Sequence, residues 1–414
     1  MAGIRGNAVV GQSGGPTAVI NQSLVGVIEA ARSSGVIQQL LGARHGVKGI
    51  LREDFVDLFA ESRDVLEEVA RTPSSALGSV RQKPKAEDCY KMFEVMRKHD
   101  VRYYFYIGGN DSAETVNIVS QAAHAANYDL RCFHVPKTVD NDLRVTDHCP
   151  GYGSAARFVA SAFLGDNLDN RALPGIKIDI VMGRNAGFLT AASALARKWP
   201  DDGPHLVYVP ERPFFLDRFL SDVEDVYRRL GRCVVAVSEG IIDGTDPLKR
   251  TMAEIMAEKS ARSVEKDTHA NIQLSGSGAL GDWLAQHVKD GLSTEKRLGL
   301  GLRVRADTLG YLQRSFPGVV SEVDASEARE CGRQAVALAT GEHHDGSVVM
   351  IREPGEYRVR YEHTELANVA RETRAMPDSF LVPDGNNVTE AFLEYARPLV
   401  GPLPPYGRLQ GMIR

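Results

Sequence analysis

Residues 130–142 read LRCFHVPKTVDND, an apolar run that changes abruptly into a polar and charged segment. Residues 130–135 have the composition of a strand buried on both faces, and residues 136–142 follow as a loop. In open α/β sheets, ligands bind beyond the carboxyl ends of the strands, where loops carry reactive groups. The stretch therefore predicts an α/β enzyme whose site includes this loop.

Composition narrows the class of protein. A chain of 414 residues exceeds what one hydrophobic core usually fills, so we expect two domains. The net charge of -5 argues against nucleic-acid binding, and no apolar run approaches the ~18 residues of a membrane span. Five scattered cysteines without a CxxC pair indicate a reducing compartment and argue against a zinc site, and the N-terminus lacks a signal-peptide pattern. We expect a cytoplasmic protein that binds neither nucleic acid nor membranes.

The chain alternates short apolar runs with stretches of helical periodicity, such as 18–32 and 112–126. The predicted strands are 7–11, 102–107, 130–135, 177–182, 205–209, 233–237 and 347–351. This alternation predicts two Rossmann-like lobes, each with a mainly parallel sheet covered by helices. We expect the first lobe to consist of 1–150 plus about 318–375 and the second of 151–317, with a helical insertion at 244–273. The stretch 152–163 is the expected passage into the second lobe. The rest, 376–414, is a C-terminal extension that contains several prolines from Pro383 onward and is expected to pack as an irregular cap.

Two glycine-rich turns follow predicted strands. In the first, Gly14 and Gly15 would let backbone N–H groups approach an anion at a helix N-terminus, although an ordinary strand-to-helix turn also needs glycine. In the second, Gly109 precedes Asn110 and Asp111, whose oxygens suit Mg²⁺ beside phosphates. A simple helix N-cap explains that turn as well.

The loop at 136–142 offers a base, a cation and a hydroxyl within seven residues. Asp140 is the candidate general base, and Asp142 is the candidate metal ligand or orienting group. The alternative is an Asx-turn that only stabilises a surface loop.

Five motifs in a fixed order resemble the phosphofructokinase family. They are GGNDS at 108–112, PKTVDND at 136–142, MGRNAG at 182–187, SEG at 238–240 and LGYLQR at 309–314, within a match from about residue 9 to residue 314. The resemblance implies a phosphofructokinase-like fold, Mg²⁺ as cofactor and fructose 6-phosphate as acceptor. It also implies that the first lobe binds the phosphoryl donor, that the second binds the sugar phosphate, and that the enzyme is a homodimer or homotetramer.

The resemblance also assigns roles to single residues. Asp140 resembles the family base, and Arg184 resembles a group that holds the moving phosphoryl. The residues that it assigns to the sugar phosphate are Thr138, Val139, Asp140, Met182, Gly183, Arg184, Glu239, Arg305, Tyr311 and Arg314. Taken singly, each has an ordinary explanation, such as a core aromatic for Tyr311 or a helix N-terminal carboxylate for Glu239.

Two positions bear on the phosphoryl donor, since ATP-using members have glycine where this chain has Asp111 and Lys137. Asp111 would repel a nucleotide's α-phosphate by roughly several kcal/mol, whereas Lys137 would stabilise charge at the end of a short donor. Both indicate pyrophosphate and a reversible reaction, so Lys137 and Asp111 join Asp140 and Arg184 as the catalytic set. The expected donor-binding residues are Gly14, Gly15, Arg81, Gly109 and Asn110.

Two departures from the family pattern leave alternatives open. Most members have aspartate at the position of Asn110, so we expect Asn110 and Asp142 to share the metal. Members of the family also have an arginine that reaches the neighbouring subunit's site; this chain has Gly175 at that position, so Arg171 or Lys177 would have to substitute. The alternatives are an ATP-dependent 6-phosphofructokinase and a noncatalytic sugar-phosphate-binding subunit. A nicotinamide-dependent oxidoreductase is disfavoured, because no dinucleotide fingerprint follows any strand.

Overall fold

The computed structural model describes residues 4–259 and 278–409. Its strands are β1 (Gly6–Gln12), β2 (Ile37–Ala43), β3 (Phe55–Asp57), β4 (Val101–Gly108), β5 (Arg131–Pro136), β6 (Ile176–Val181), β7 (Leu206–Tyr208), β8 (Pro213–Phe214), β9 (Cys233–Ser238), β10 (Ile242–Asp243), β11 (Val304–Thr308), β12 (Asp345–Arg352) and β13 (Val359–Thr364). Its α-helices are α1 (Ile20–Ser33), α2 (Val47–Arg52), α3 (Arg63–Arg71), α4 (Ala86–Lys98), α5 (Asn110–Ala125), α6 (Tyr152–Ala172), α7 (Phe188–Ala191), α8 (Leu216–Leu230), α9 (Met252–Lys259), α10 (Ala279–Leu292), α11 (Leu312–Ser315), α12 (Glu322–Thr340), α13 (Leu366–Val369) and α14 (Glu390–Val400).

The larger sheet has seven strands in the order β13-β12-β5-β4-β1-β2-β3. All its neighbours are parallel except β2 with β3 and β12 with β13, which are antiparallel. Side chains of α1 and α12 pack on one face, and those of α2, α4 and α5 pack on the other. Because both faces are covered, the central strands are almost wholly buried, which explains their continuous apolar sequences.

The smaller sheet has four parallel strands in the order β11-β6-β9-β7. Helices α8 and α10 cover one face, and α6, α7 and α14 cover the other. The two mainly parallel, helix-covered sheets confirm the predicted fold class. The larger sheet draws its strands from two separate stretches of the chain, 6–136 and 345–364, whereas the smaller sheet lies entirely between them at 176–308.

Helix α12 closes the larger sheet by crossing α1 at very short range. A Cβ atom added at Gly26 of α1 would lie 1.9 Å from the carbonyl oxygen of Arg329, and one added at Gly332 of α12 would lie 2.1 Å from that of Ser23. No side chain fits at either distance, so glycine is required on both helices. The contact joins the late segment of the chain to its N-terminal segment.

The structure corrects several local predictions. Strands β2, β3, β8, β10, β11 and β13 were not predicted. The predicted passage into the second lobe, 152–163, is the first half of the long helix α6, which leads from the larger sheet to the smaller one. The C-terminal segment is not irregular throughout, because 390–400 forms α14, although Pro398 removes one hydrogen bond from its last turn. Within the predicted insertion 244–273, Met252–Lys259 is helical, and 260–273 lies outside the described residues.

Two further expectations concern the chain as a whole. All five cysteines are buried free thiols, as a reducing compartment predicts. Over 4–259 and 278–409, no helix combines the length and the apolar character needed to cross a membrane.

Candidate active site

A cavity of about 350 Å³ lies between the carboxyl ends of the two sheets. Loops after β1, β4 and β5 reach it from the larger sheet, and loops after β6, β9 and β11 reach it from the smaller one. The predicted site residues that line it are Gly14, Gly15, Arg81, Gly109, Asn110, Asp111, Lys137, Thr138, Val139, Asp140, Asp142, Met182, Arg184, Glu239, Tyr311 and Arg314. Residues distant in sequence are thus brought to one site, as their positions after strands predict.

The loop after β5 is held in a fixed turn by the C-terminal part of the chain. Asn141 has a φ of 58°, and its side-chain amide donates to the Tyr395 hydroxyl at 2.7 Å while its side-chain oxygen accepts from the Cys149 backbone N–H at 3.0 Å. The Arg374 guanidinium donates to the Asn141 carbonyl at 3.0 Å. These bonds place the residues on either side of Asn141 with little freedom.

Asp140 and Asp142 form a pair of carboxyl groups, the first half-buried and the second buried. Burial raises the pKa of Asp140, against the opposing effect of Lys137 and Arg314, and one of its oxygens, Oδ1, is buried without a hydrogen-bond partner. Burial and the neighbouring Asp140 raise the pKa of Asp142 to about 7. Thr138 supports both residues, because its hydroxyl donates to Asp142 at 3.4 Å and accepts from the Asp140 backbone N–H at 3.1 Å. A raised pKa suits a group that takes up a proton near neutral pH.

Lys137 is a buried cation beside this pair. Its ammonium donates to the Gly15 carbonyl at 2.7 Å, and burial, followed by the charge of Arg314, lowers its pKa to about 8. An ammonium group carries three donors, so the bond to Gly15 leaves two for a phosphate. The role of Lys137 in stabilising charge on a bound phosphate stays a prediction.

Oxygen ligands suited to a divalent metal line the cavity. Asp140 and Asp142 both line the cavity, and the unpartnered Oδ1 of Asp140 adds a buried acceptor among the cations there. Hard cations such as Mg²⁺ prefer carboxylate and amide oxygens, and Asn110 lines the same cavity. The residues therefore fit such an ion, with Asp142 the stronger of the two predicted ligands, since a carboxylate binds Mg²⁺ better than an amide.

The first glycine turn differs from its prediction. Helix α1 begins only at Ile20, and the Gly14 N–H already donates to the Val80 carbonyl at 3.2 Å, so no helix N-terminus presents N–H groups here. The glycines are instead needed for space and conformation. Gly14 has a φ of 76°, and a Cβ atom at Gly15 would lie 2.7 Å from Arg314 Nη1.

The second glycine turn does end at a helix N-terminus. Gly109 is the N-cap of α5, so Asn110 and Asp111 begin the helix at the cavity wall. The first turn of a helix has N–H groups without intrahelical partners, and its dipole favours anions. The Asn110 amide donates to the Arg371 carbonyl at 3.3 Å, which fixes its orientation.

Lys83 is a site residue that the sequence did not reveal. Its ammonium lies 2.8 Å from the Asp111 carboxylate and also pairs with Glu114, whose other oxygen accepts from the Arg371 guanidinium at 2.8 Å. Although burial opposes it, the hydrogen bonds to Asp111 and Glu114 raise the pKa of Lys83. Asp111 is therefore a paired carboxylate in a chain of four charges along the donor side of the cavity. The signal that was available was the position of Lys83 two residues after Arg81.

The remaining predicted residues lie on the side of the smaller sheet. Gly183 has a φ of 139° and donates its N–H to Glu239 at 3.4 Å, so it shapes the turn that places Arg184, although Gly183 does not itself line the cavity. The Arg314 guanidinium stacks 4.4 Å from the Tyr311 ring, and burial, with the charge of Arg81, lowers its pKa. A buried cation of this kind suits a phosphate group.

Arg305 lies outside this cavity. It is exposed on the edge strand β11, where it donates to the Val304 carbonyl at 3.0 Å. The candidates for the missing cross-subunit arginine are engaged within the chain, because Arg171 pairs with Asp201 at 2.6 Å and Lys177 pairs with Asp179 at 3.3 Å. A role for Arg305 toward the sugar phosphate stays a prediction.

Comparisons with known proteins agree with this geometry. A family model described as phosphofructokinase matches residues 7–339. A pyrophosphate–fructose 6-phosphate 1-phosphotransferase of Rhodospirillum rubrum is 56% identical over 397 residues, covering 96% of this chain and 95% of the relative. One of the same name from Xanthomonas campestris pv. campestris is 39% identical over 405 residues, covering 95% of this chain and 91% of the relative.

Among solved structures, a pyrophosphate-dependent phosphofructokinase from Nitrosospira multiformis superposes with a TM-score of 0.82 at 34% identity, covering 97% of this chain and 94% of its own. The ordered motifs, the shared cavity and these matches over nearly the whole length lead to one conclusion. The chain belongs to the phosphofructokinase family.

Proposed function

We propose that this enzyme transfers a phosphoryl group from pyrophosphate to the 1-hydroxyl of fructose 6-phosphate, reversibly, giving fructose 1,6-bisphosphate and phosphate. The observation that carries the proposal is that Lys137 and Asp111 line the same cavity as Asp140. A base for the sugar hydroxyl and a cation for a short donor therefore share one site. The relatives named above carry this activity in their names.

The reaction follows from the positions of the charged groups. Asp140 takes the proton of the 1-hydroxyl while that oxygen attacks the nearer phosphorus of pyrophosphate. The new O–P bond forms as the bridging P–O bond breaks, and phosphate leaves with the electron pair. Lys137 and Arg184 stabilise the charge that is redistributed, because positioning and electrostatics dominate phosphoryl transfer. In the reverse direction Asp140 returns the proton.

We place pyrophosphate and the 6-phosphate of the sugar at different sides of the cavity. The donor side consists of Gly14, Gly15, Arg81, Lys83, Gly109 and Asn110. On the acceptor side, Arg314 and Tyr311 hold the 6-phosphate, and Glu239 accepts hydrogen bonds from sugar hydroxyls. Phosphofructokinases generally use a divalent metal, and we assign Mg²⁺ to Asp142 and Asn110, where it would neutralise charge on the donor oxygens.

The choice of phosphoryl donor follows from Asp111, a carboxylate paired with Lys83 at the start of α5. Asp111 stands at the cavity wall with Lys83 on it and Glu114 behind that lysine, so the wall is closed by side chains rather than by glycine. A nucleotide would have to displace this group of charges to pass, whereas pyrophosphate ends before it. Pyrophosphate and the sugar phosphate product store similar free energy, which accounts for reversibility.

A coupled assay with the purified chain, fructose 6-phosphate and Mg²⁺ tests the proposal. We expect turnover with pyrophosphate and at least about a hundredfold lower kcat/KM with ATP, equivalent to about 3 kcal/mol in the transition state. Preference for ATP would make the chain an ATP-dependent kinase, and absence of turnover with either donor would indicate a noncatalytic binding subunit. Replacing both Asp111 and Lys137 by glycine should increase the use of ATP, and no increase would show that these residues do not select the donor.

Further aspects of the enzyme are part of the same proposal. We assign donor binding to residues 1–150 plus about 318–375, sugar-phosphate binding to 151–317, and a separate extension to 376–414. We place the enzyme in the cytoplasm as a homodimer or homotetramer, in which the exposed Arg305 would reach a neighbouring subunit's site. Light scattering would give the oligomeric state, and a monomer with full activity would refute this role for Arg305.

A further inference from the structure

We propose that His124, His344 and Asp345 form a binding site for one transition-metal dication, for which Zn²⁺ is the best match. His124 lies in the last turn of α5, His344 follows α12, and Asp345 is the first residue of β12. These residues meet at the amino-terminal edge of the larger sheet. From Asp111 to His124 the rise along α5 is about 20 Å, so this site is separate from the active-site cavity.

The separations between the side-chain atoms match the ligands of a single ion. His124 Nε2 lies 3.3 Å from His344 Nδ1 and 3.6 Å from Asp345 Oδ2, and the last two atoms are 4.0 Å apart. Bond lengths of about 2.0–2.2 Å to a tetrahedral zinc place its ligands about 3.4 Å from one another. Only the distance from His344 to Asp345 has to shorten for all three to bind.

Two further residues support this arrangement from outside. Asp129 Oδ1 lies 3.4 Å from His344 Nε2, the ring nitrogen that faces away from the proposed ion. A carboxylate at this position fixes the tautomer that leaves Nδ1 unprotonated, as is usual for histidine ligands. The Ser120 hydroxyl donates to Asp345 Oδ2 at 2.6 Å and orients that carboxylate. Asp129 thus orients His344, and Ser120 orients Asp345.

The chemistry of the ligands selects the metal. Two imidazoles and one carboxylate suit Zn²⁺ and similar borderline ions, whereas Mg²⁺ prefers oxygen ligands alone. His124 and His344 are 54% and 44% exposed, so an ion can enter and a water molecule can take the fourth position. A bound ion would connect the end of α5 to the start of β12.

Zinc titration of the full chain by isothermal calorimetry, after treatment with a chelator and without pyrophosphate, tests the site. We expect one Zn²⁺ per chain, loss of this binding in His124→Ala and His344→Ala, and no competition from millimolar Mg²⁺. Asp129→Asn should weaken binding about 10–100-fold by removing the outer partner of His344. The matched control is His343→Ala, since His343 stacks on His363 at 3.8 Å and is not a proposed ligand.

The thermal midpoint of each metal-free variant shows whether it is folded, and with Mg²⁺ and pyrophosphate supplied the turnover of fructose 6-phosphate should be the same in all of them. Co²⁺ provides a second readout, because the absorption of a tetrahedral complex should be present in the wild type and in His343→Ala only. Stoichiometric binding that survives His344→Ala, or that is lost equally in His343→Ala, would overturn the proposal. Absence of binding to the wild type would show instead that His124 and His344 only hydrogen-bond to each other.

Discussion

Replacing Lys137 by methionine should separate charge stabilisation from packing, because methionine has a similar shape without the ammonium. Removing one preorganised donor from a site where charge develops costs about 10²–10³ in rate, and we expect this loss in kcat/KM for pyrophosphate. Lys85→Met is the matched control, since Lys85 is exposed and does not line the cavity. Retention of more than about a tenth of wild-type kcat/KM by Lys137→Met would refute the assigned role.

The pH dependence adds a readout that a purely structural lysine would not change. With a pKa of about 8, Lys137 is about nine-tenths protonated at pH 7 and about one-tenth protonated at pH 9. Because the Asp140–Asp142 pair loses its proton over the same range, wild-type kcat/KM should fall about fivefold between these values. Lys137→Arg keeps its charge at both, so its lower activity should not fall but rise about twofold with the carboxylate pair. A wild-type profile that is flat to pH 9 would contradict the reasoning.

The same pKa predicts an opposite trend in stability. Because burial lowers the pKa of Lys137 from 10.5 to about 8, the unfolded chain binds more protons than the folded chain between these values. The destabilisation is full below pH 8 and disappears as the pH rises toward 10.5. Relative to Lys137→Met, the free energy of unfolding of the wild type should thus increase by up to about 3 kcal/mol between pH 7 and pH 10, measured by urea denaturation.

Four further changes test other parts of the site. Asp140→Asn should lower kcat about 10²–10⁴-fold while calorimetry still detects fructose 6-phosphate binding, and loss of both would indicate a structural role. Wild-type kcat/KM should fall as the pH drops through about 7, where the Asp140–Asp142 pair takes up a proton. In Asp142→Asn this fall should move to lower pH, because Asp140 no longer has a carboxylate beside it that repels its charge. A pH profile that does not move would argue against a coupled pair. Lys83→Met should raise the KM for pyrophosphate roughly three- to tenfold by leaving Asp111 unpaired, while the control Lys48→Met should not. A KM for Lys83→Met equal to that of the wild type would show that Lys83 does not belong to the donor side. Tyr395→Phe should lower kcat and cost about 1–2 kcal/mol of stability, whereas Tyr406→Phe, which breaks a bond to Asp202 away from the cavity, should cost stability alone.

The parts of the fold that the sequence predicts well are those in which local composition reports burial. The central strands β1, β4, β5, β6 and β9 are covered on both faces and so read as apolar runs. Among the strands that the structure describes, six escaped prediction: β2, β3, β11 and β13 lie at an edge of the seven- or four-stranded sheet or next to one, and β8 and β10 form a two-stranded sheet of their own. Edge strands such as β13, with exposed and half-buried residues alternating, lack that signal.

The site shows the same division between local and distant information. Asp140, Lys137 and Asp111 could be predicted because each belongs to a short motif directly after a strand. Contacts across hundreds of residues could not be predicted, such as the Tyr395 hydroxyl on Asn141. The prediction for the first glycine turn was wrong because Gly14 is needed for its backbone conformation, and its N–H donates to the carbonyl of Val80. Val80 lies 66 positions away, and local composition cannot reveal such a partner.

The crossing of α12 over α1 also determines when the enzyme can become active during synthesis. The smaller sheet is complete once residue 308 has left the ribosome, but the larger sheet still lacks β12 and β13, and α1 still lacks α12. Domains generally fold as they emerge, so a nascent chain of this length would expose the apolar face of α1. Two glycines, Gly26 and Gly332, let the late helix α12 cover it. The catalytic loop after β5 is translated early, yet its final geometry must wait for Arg374 and Tyr395.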